Sequence, residues 1–170
     1  SGLGVISSFA QSVASILYQI GFSVIVTEET DVAGLYEADQ RDADLVFLAD
    51  DNRFLAVNLR SGGVSENDAA TARAYVSLLA MMAEKQRSCS LHGKSVLLAG
   101  YGRVGKKMEE ELLAKHADVT IWDRDPAKGK PMDIGEMGRF DYIADATCEG
   151  GWITKEMIAH HPIISAPGVP

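Results

Sequence analysis

Cysteine is scarce in this chain: Cys89 and Cys148 are the two it has in 170 residues. Two thiols make no disulfide framework, and neither has a second Cys or a His at the spacing a metal site needs. The expectation is a reducing compartment, the cytoplasm, and no bound metal. Long apolar runs are missing too. No stretch has the length and hydrophobicity to cross a bilayer, and no basic, apolar leader opens the chain. Basic residues are outnumbered, 16 Lys and Arg against 24 Asp and Glu, for a formal net charge of −8. That field repels polyanions at long range, which speaks against nucleic acid and membrane as partners. It says nothing about small ligands, whose binding is decided by local groups. Internal repeats and low-complexity segments are absent as well. The chain starts at Ser1 without a methionine and stops at Gly168-Val169-Pro170, in what reads as a loop, so both ends are expected to be trimmed from a longer protein.

What is present is an ordinary globular composition, 46% hydrophobic and 24% charged. The length suits one substantial domain or two small α/β layers sharing an interface. Apolar residues at Phe9, Val13, Ile16, Leu17 and Ile20 have helical spacing, with Gly21 as the C-cap. Phe22 to Val26 is a β-branched run that predicts a strand. Asp31 is placed to cap a helix through Glu37 and Ala38. Ala43 to Ala49 reads as a buried parallel strand, Phe54 to Leu59 as a shorter strand or loop, and Ser61-Gly62-Gly63 as a turn. A long helix rich in Ala, Leu and Met runs from about Glu66 to Lys85 and joins the two halves. The second half alternates: strand Ser95 to Ala99, helix Val104 to Lys115, strand Asp118 to Trp122, loop Asp125 to Pro131, strand Tyr142 to Ala144, short helix Lys155 to Ala159, strand Ile163 to Ser165. Alternation of β and α predicts parallel sheets with helices on both faces.

The most informative segment is Gly100-Tyr101-Gly102-Arg103-Val104-Gly105. A Gly-x-Gly-x-x-Gly triplet is common by chance, but here Val96-Leu97-Leu98-Ala99 feeds straight into it and a helix follows. Gly100 allows the tight turn, Gly102 lets a pyrophosphate approach the backbone, and Gly105 lets the helix lie close to the strand. The helix start, with Arg103 and Val104, offers free N–H groups and a positive dipole end to phosphate. Asp123 ends the next strand at the distance this fingerprint requires. A carboxylate there accepts hydrogen bonds from ribose hydroxyls and repels a 2′-phosphate, which favours NAD over NADP. Arg124 beside it can serve a phosphorylated cofactor or lie over the adenine ring. The alternative is a Rossmann-like layer whose glycines serve only the turn.

In the first half, Ser1, Gly2 and Gly4 precede a helix and suit an anion site, or a plain helix start. Asp50 and Asp51 follow a predicted buried strand, at the carboxyl edge where open parallel sheets bind ligands. They can hold an ammonium group or a metal, or act as a helix cap and a solvated neighbour.

Several blocks together resemble one family. They are Ser1-Gly2-x-Gly4, Asp31-Val32-x-Gly34-x-Tyr36-Glu37-Ala38, Ala49-Asp50-Asp51-Asn52-x-Phe54-Leu55-Ala56-x-Asn58-Leu59 and Glu66-Asn67, followed by Gly100-x-Gly102-x-Val104-Gly105, Ala146-Thr147 and Ser165-x-Pro167-Gly168-x-Pro170. They are similar to the PylD family of pyrrolysine synthases, over essentially the whole chain. Members of that family are longer at both ends. The resemblance implies oxidation by NAD of a lysine whose side-chain nitrogen carries 3-methyl-D-ornithine. The terminal amine of the ornithine is oxidised to an imine, ammonia leaves, and the aldehyde closes the pyrroline ring on the α-amine. It implies substrate contacts from Ser1, Gly2, Gly4, Asp50, Asp51 and Asn67, with Asp50 and Asp51 orienting an ammonium group. Thr147 and Cys148 follow a strand of the nucleotide domain, where a nicotinamide usually lies. No His lies in a motif that suggests a general base, so water is the expected proton acceptor.

The other reactive residues have plainer explanations. Cys148 is a nucleophile or, more commonly for a lone Cys after a strand, small packing. His160 and His161, beside Pro162, read as a cap and a surface residue, and Met81-Met82 as core. The expected fold is α/β in two layers, the second a Rossmann-type doubly wound parallel sheet truncated at its C-terminus. Residues 1–88 form the substrate layer including the long helix, and residues 89–170 the NAD layer, with the cofactor cleft between them. A small-molecule substrate is expected, with a homodimer left open. A dehydrogenase for another amine or amino acid, and a non-enzymatic NAD-binding module, are the competing readings.

Overall fold

The computed structural model describes residues 9–50 and 52–167. They form two compact units that divide between Asn67 and Asp68. The first unit holds helices α1 (Phe9–Gln19) and α2 (Asp31–Gln40), then strands β1 (Leu45–Ala49), β2 (Phe54–Asn58) and β3 (Val64–Glu66). Gly21 closes α1 with φ +97°, a left-handed cap with no Cβ to resist it, and the Phe22 amide donates back to the Leu17 carbonyl. The strands form a meander in the order β1-β2-β3, both pairs antiparallel, with Ala49 opposite Phe54 and Leu55 opposite Glu66.

This unit departs from expectation in three respects. Residues 22–26 pair with no strand among the described residues; Phe22, Ile25 and Val26 are roughly half exposed. Leu45 to Ala49 is an antiparallel edge strand and not a buried parallel one, because its continuation turns back at once into β2. The cap of α2 also shifts by one: Thr30 is the N-cap and makes no side-chain cap bond, while Asp31 is the first helical residue.

The second unit is built around a parallel sheet. Its elements are α3 (Asn67–Arg87), β4 (Ser95–Ala99), α4 (Arg103–Ala114), β5 (Asp118–Trp122), the short α5 (Ile134–Met137), β6 (Tyr142–Asp145) and β7 (Ile163–Ser165). The order is β5-β4-β6-β7, every pair parallel. This is the doubly wound α/β arrangement expected of the second half. Alternate residues of β4 supply two cores. Val96 and Leu98 pack with Ala144, with Ala72, Val76, Leu79 and Ala83 of α3, and with Met108 and Leu112 of α4. Leu97 packs on the opposite face with Ile143, Met137 and Met157. Both faces of the central strands are thus covered, which is why they read as unbroken apolar runs.

The apolar stripe of α3 belongs to this second core. The chain divides between Asn67 and Asp68, at the start of the long helix, and not at the expected boundary after residue 88. A buried apolar residue every third or fourth position, Ala72, Val76, Leu79 and Ala83, seats α3 on this core, and that packing sets its allegiance. The short helix expected at Lys155 to Ala159 is a run of turns over residues 155–160, while Met157 is still buried beside Leu97.

Candidate nucleotide site

Strand register builds this site. Ala99 of β4 lies opposite both Trp122 of β5 and Asp145 of β6, so three strands end at one level. The next residues, Gly100, Asp123 and Ala146, share the carboxyl edge of the sheet, where open parallel sheets bind their ligands. Gly100 has φ +84°, and a Cβ there would stand 2.8 Å from the Ala146 carbonyl and the Thr147 nitrogen. A Cβ on Gly105 would come within 2.0 Å of the Gly100 carbonyl oxygen. These two glycines are therefore required by the turn and by the seat of α4 against it. Gly102, the N-cap of α4, meets nothing within 4 Å at its own Cβ position. Its absent side chain keeps the start of α4 open, as the approach of a phosphate pair demands.

Asp123 is bound into the same turn. Its Oδ2 accepts from the Tyr101 amide at 2.6 Å and its Oδ1 from the Asp125 amide at 2.8 Å. The Tyr101 amide, then that of Asp125, holds this carboxyl below its ordinary range, so it is anionic at neutral pH. Each carboxylate oxygen has a second lone pair, so both can still accept from hydroxyls of a bound sugar. The Tyr101 hydroxyl donates to Glu109 of α4, which raises the phenol above its usual value and ties the turn to the helix. A helix start, a glycine turn with open space at the Gly102 Cβ position and an anchored carboxylate at the neighbouring strand end fit a nucleotide cofactor.

The other expected cofactor residues lie around this edge. Arg103 pairs through Nε with Asp68 at 2.6 Å. Val104 packs on the core that α4 covers. The Arg124 guanidinium makes a two-pronged ion pair with Glu149. The Thr147 amide and hydroxyl both donate to Asp145 Oδ1, at 2.9 and 2.7 Å. Cys148 is exposed.

Sequence reasoning passed over three residues here. Asp145 is buried and also accepts from Trp152 Nε1 at 3.1 Å. Trp152 stacks on Trp122, ring centres 5.2 Å apart. Glu149 is the partner of Arg124. A signal existed for Asp145, since an acid closing the apolar run Tyr142-Ile143-Ala144 must find donors. None existed for Glu149, one exposed acid among many.

The substrate residues expected in the first unit are placed differently. Ser1, Gly2, Gly4 and Asp51 lie outside the described residues. Asp50 is in the tight turn joining β1 to β2 and not at the edge of a parallel sheet. Its Oδ1 accepts from the Asn52 and Arg53 amides, both at 2.7 Å, and its own amide donates to the Arg53 carbonyl at 2.9 Å. Asn67 opens α3. A ring nitrogen of His160 lies 2.9 Å from the Phe140 carbonyl, and the His161 carbonyl accepts from Arg87.

The family model described as pyrrolysine biosynthesis protein PylD, N-terminal domain, matches residues 1–65. The chain is 32% identical over 179 residues to the pyrrolysine synthase of Methanosarcina barkeri (strain Fusaro / DSM 804), covering all of this chain and 66% of that protein. It is equally 32% identical to the pyrrolysine synthase of Methanosarcina acetivorans, there covering 67%. It therefore spans about two-thirds of the length of these curated relatives. Among solved structures, shikimate dehydrogenase 1 from Peptoclostridium difficile superposes with a TM-score of 0.48 at 14% identity, covering 89% of this chain and 68% of that one. With a relative 32% identical over its whole length and two-thirds of that relative's, the chain belongs to the PylD family of pyrrolysine synthases.

Proposed function

We propose that this chain carries the NAD site and part of the substrate site of an oxidoreductase that forms pyrrolysine. The observation that supports it most is the shared edge where Gly100, the start of α4 and Asp123 meet, in a chain of this family. The α4 amides would hold the pyrophosphate, and Gly102 leaves room for it. Asp123 would accept from the ribose hydroxyls, its charge disfavouring a 2′-phosphate. NAD, when bound, supplies the two-electron acceptor. Thr147 would lie beside the reacting end, its hydroxyl held by the buried Asp145.

The substrate proposed is lysine acylated on its side-chain nitrogen by 3-methyl-D-ornithine. Oxidation at the carbon bearing the terminal amine gives an imine; water adds, ammonia leaves, and the aldehyde condenses with the α-amine, losing water as the ring closes. Asp50 and Asp51 would draw in and orient an ammonium group, and Asn67, Ser1, Gly2 and Gly4 would receive the polar ends. The amine must be neutral when it is oxidised, and water is the proton acceptor proposed.

Fluorescence titration tests the cofactor assignment. The native chain is expected to bind NADH more tightly than NADPH, and Asp123→Ala to weaken NADH by about 1–3 kcal/mol, the cost of leaving hydrogen-bonding groups unpaired. Equal affinity for both nucleotides in the native chain would overturn it. The reaction is tested by NADH formation with the lysine–methylornithine conjugate.

A further inference from the structure

Asp123 is one determinant of which nucleotide binds; Arg124, the next residue, works against it. A guanidinium beside the ribose acceptor is the group that receives a 2′-phosphate in NADP-binding relatives of this fold. Arg124 is nevertheless engaged. Its Nη1 and Nη2 donate to Oε1 and Oε2 of Glu149, fork to fork. The pair joins the loops that follow β5 and β6, the two strands flanking β4, so it belongs to the carboxyl edge where the glycine turn lies. Glu149 is also held from below. Its carbonyl accepts from the Thr147 hydroxyl at 3.2 Å, and Thr147 is tied to the buried Asp145. An otherwise exposed acid is thereby placed opposite one guanidinium.

We propose that Glu149 is a specificity-determining residue that acts through Arg124. By pairing with the guanidinium it withdraws a cation next to Asp123 that would welcome a 2′-phosphate. The edge then discriminates by two means, repulsion from Asp123 and withdrawal of Arg124. This rests on the NAD-site assignment above. A cation left unpaired would make the same edge tolerant of both nucleotides.

The test is a titration of the full chain with NADH and with NADPH, read by quenching of tryptophan emission, in four proteins: native, Glu149→Gln, Arg124→Ala and the double variant. Glu149→Gln keeps the size and an acceptor while removing the charge. NADPH affinity is expected to rise about fivefold in it, the size an exposed charge pair supports, with NADH affinity changed by less than about twofold. In the Arg124→Ala background the same substitution is expected to leave NADPH affinity where it was. Unchanged NADPH affinity in Glu149→Gln overturns the inference while leaving the NAD site standing. A gain that survives in the double variant overturns it too, since Glu149 would then act by its own charge alone. If the native chain binds neither nucleotide, the NAD-site assignment fails and this inference with it.

Discussion

Strands β1 and β4, Leu45-Val46-Phe47-Leu48-Ala49 and Ser95-Val96-Leu97-Leu98-Ala99, are close in composition and opposite in use. In β4 the four residues after Ser95 are all fully buried, between β5 and β6 and between two cores. In β1 no residue is buried, and Leu45, Phe47 and Leu48 are each more than a third exposed. β1 is the edge of a three-strand meander, so it has one strand neighbour among the described residues. An apolar run states a capacity for burial. What realises it is the supply of covering elements, and the second unit has α3, α4 and the Met137 and Met157 layer to offer.

Paired substitutions measure that difference directly. Leu97→Ala should cost about 2–5 kcal/mol, the ordinary range for a large-to-small change in a closed core. Leu48→Ala should cost less, about 1–2 kcal/mol, since more than a third of its surface stays in water and no closed cavity is left. Urea midpoints followed by far-UV circular dichroism supply both numbers. Comparable losses would mean that β1 is covered as thoroughly as β4, and the contrast between the units would collapse.

Glycines sharpen it at the level of backbone. Gly105→Ala would push a Cβ onto the Gly100 carbonyl oxygen, backbone that cannot step aside, and should cost about 1–3 kcal/mol as overpacking does. Gly62, in the turn between β2 and β3, has φ +73° and open space around it. Its replacement by Ala pays only the left-handed conformation, about 1 kcal/mol. Nucleotide affinity should fall with Gly105→Ala and not with Gly62→Ala.

Asp50 gives the next, smaller contrast, because the turn and the proposed substrate role ask for different things. The turn needs an acceptor at Oδ1 for the Asn52 and Arg53 amides, and Asn supplies one. Asp50→Asn should thus leave stability nearly unchanged, whereas Asp50→Ala loses about 1 kcal/mol. An ammonium partner needs the charge, so turnover of the lysine–methylornithine conjugate should fall with both, NADH affinity staying constant. Full turnover in Asp50→Asn would assign Asp50 to the hairpin alone.

The second unit was legible because local signals and global fold agree there. Gly100, Gly102, Gly105 and Asp123 sit in a strand–turn–helix–strand unit whose every part carries its own signature, and β4 to β7 appear within a residue or so of their expected places. Where the first unit misled, the missing quantity was the partner. Ala43 to Ala49 contains nothing that separates a parallel central strand from an antiparallel edge; the reversal after Asp50, where the Asp50 amide meets the Arg53 carbonyl, decides it. Phe22 to Val26 has strand composition without a ladder. The ownership of α3 was hidden for a related reason, because a stripe of Ala72, Val76, Leu79 and Ala83 shows that a helix packs and not on what. Glu149 was out of reach altogether, since an ion pair between loops 25 residues apart leaves no local pattern.

The smallest expected effect is on the acid limb of stability, and it too should differ between the units. Asp123 is held below its ordinary carboxyl range by the Tyr101 amide first and the Asp125 amide second. Its folded value lies below its unfolded one, so its contribution is fully present above pH 4 or so and is lost as pH falls through the folded value. The side chain is part exposed and solvent screens it, which keeps the contribution below about 1 kcal/mol. The two tryptophans of the chain, Trp122 and Trp152, are stacked on each other in the second unit, and Trp122 adjoins Asp123. Their emission therefore reports that unit. Between pH 5 and 3, urea midpoints read by tryptophan emission should fall more steeply in the native chain than in Asp123→Asn, which has no charge to lose. Parallel slopes in the two proteins would show that the Asp123 carboxylate is not what ties the glycine turn to β5, and that the turn stands on Gly100 and Gly105 alone.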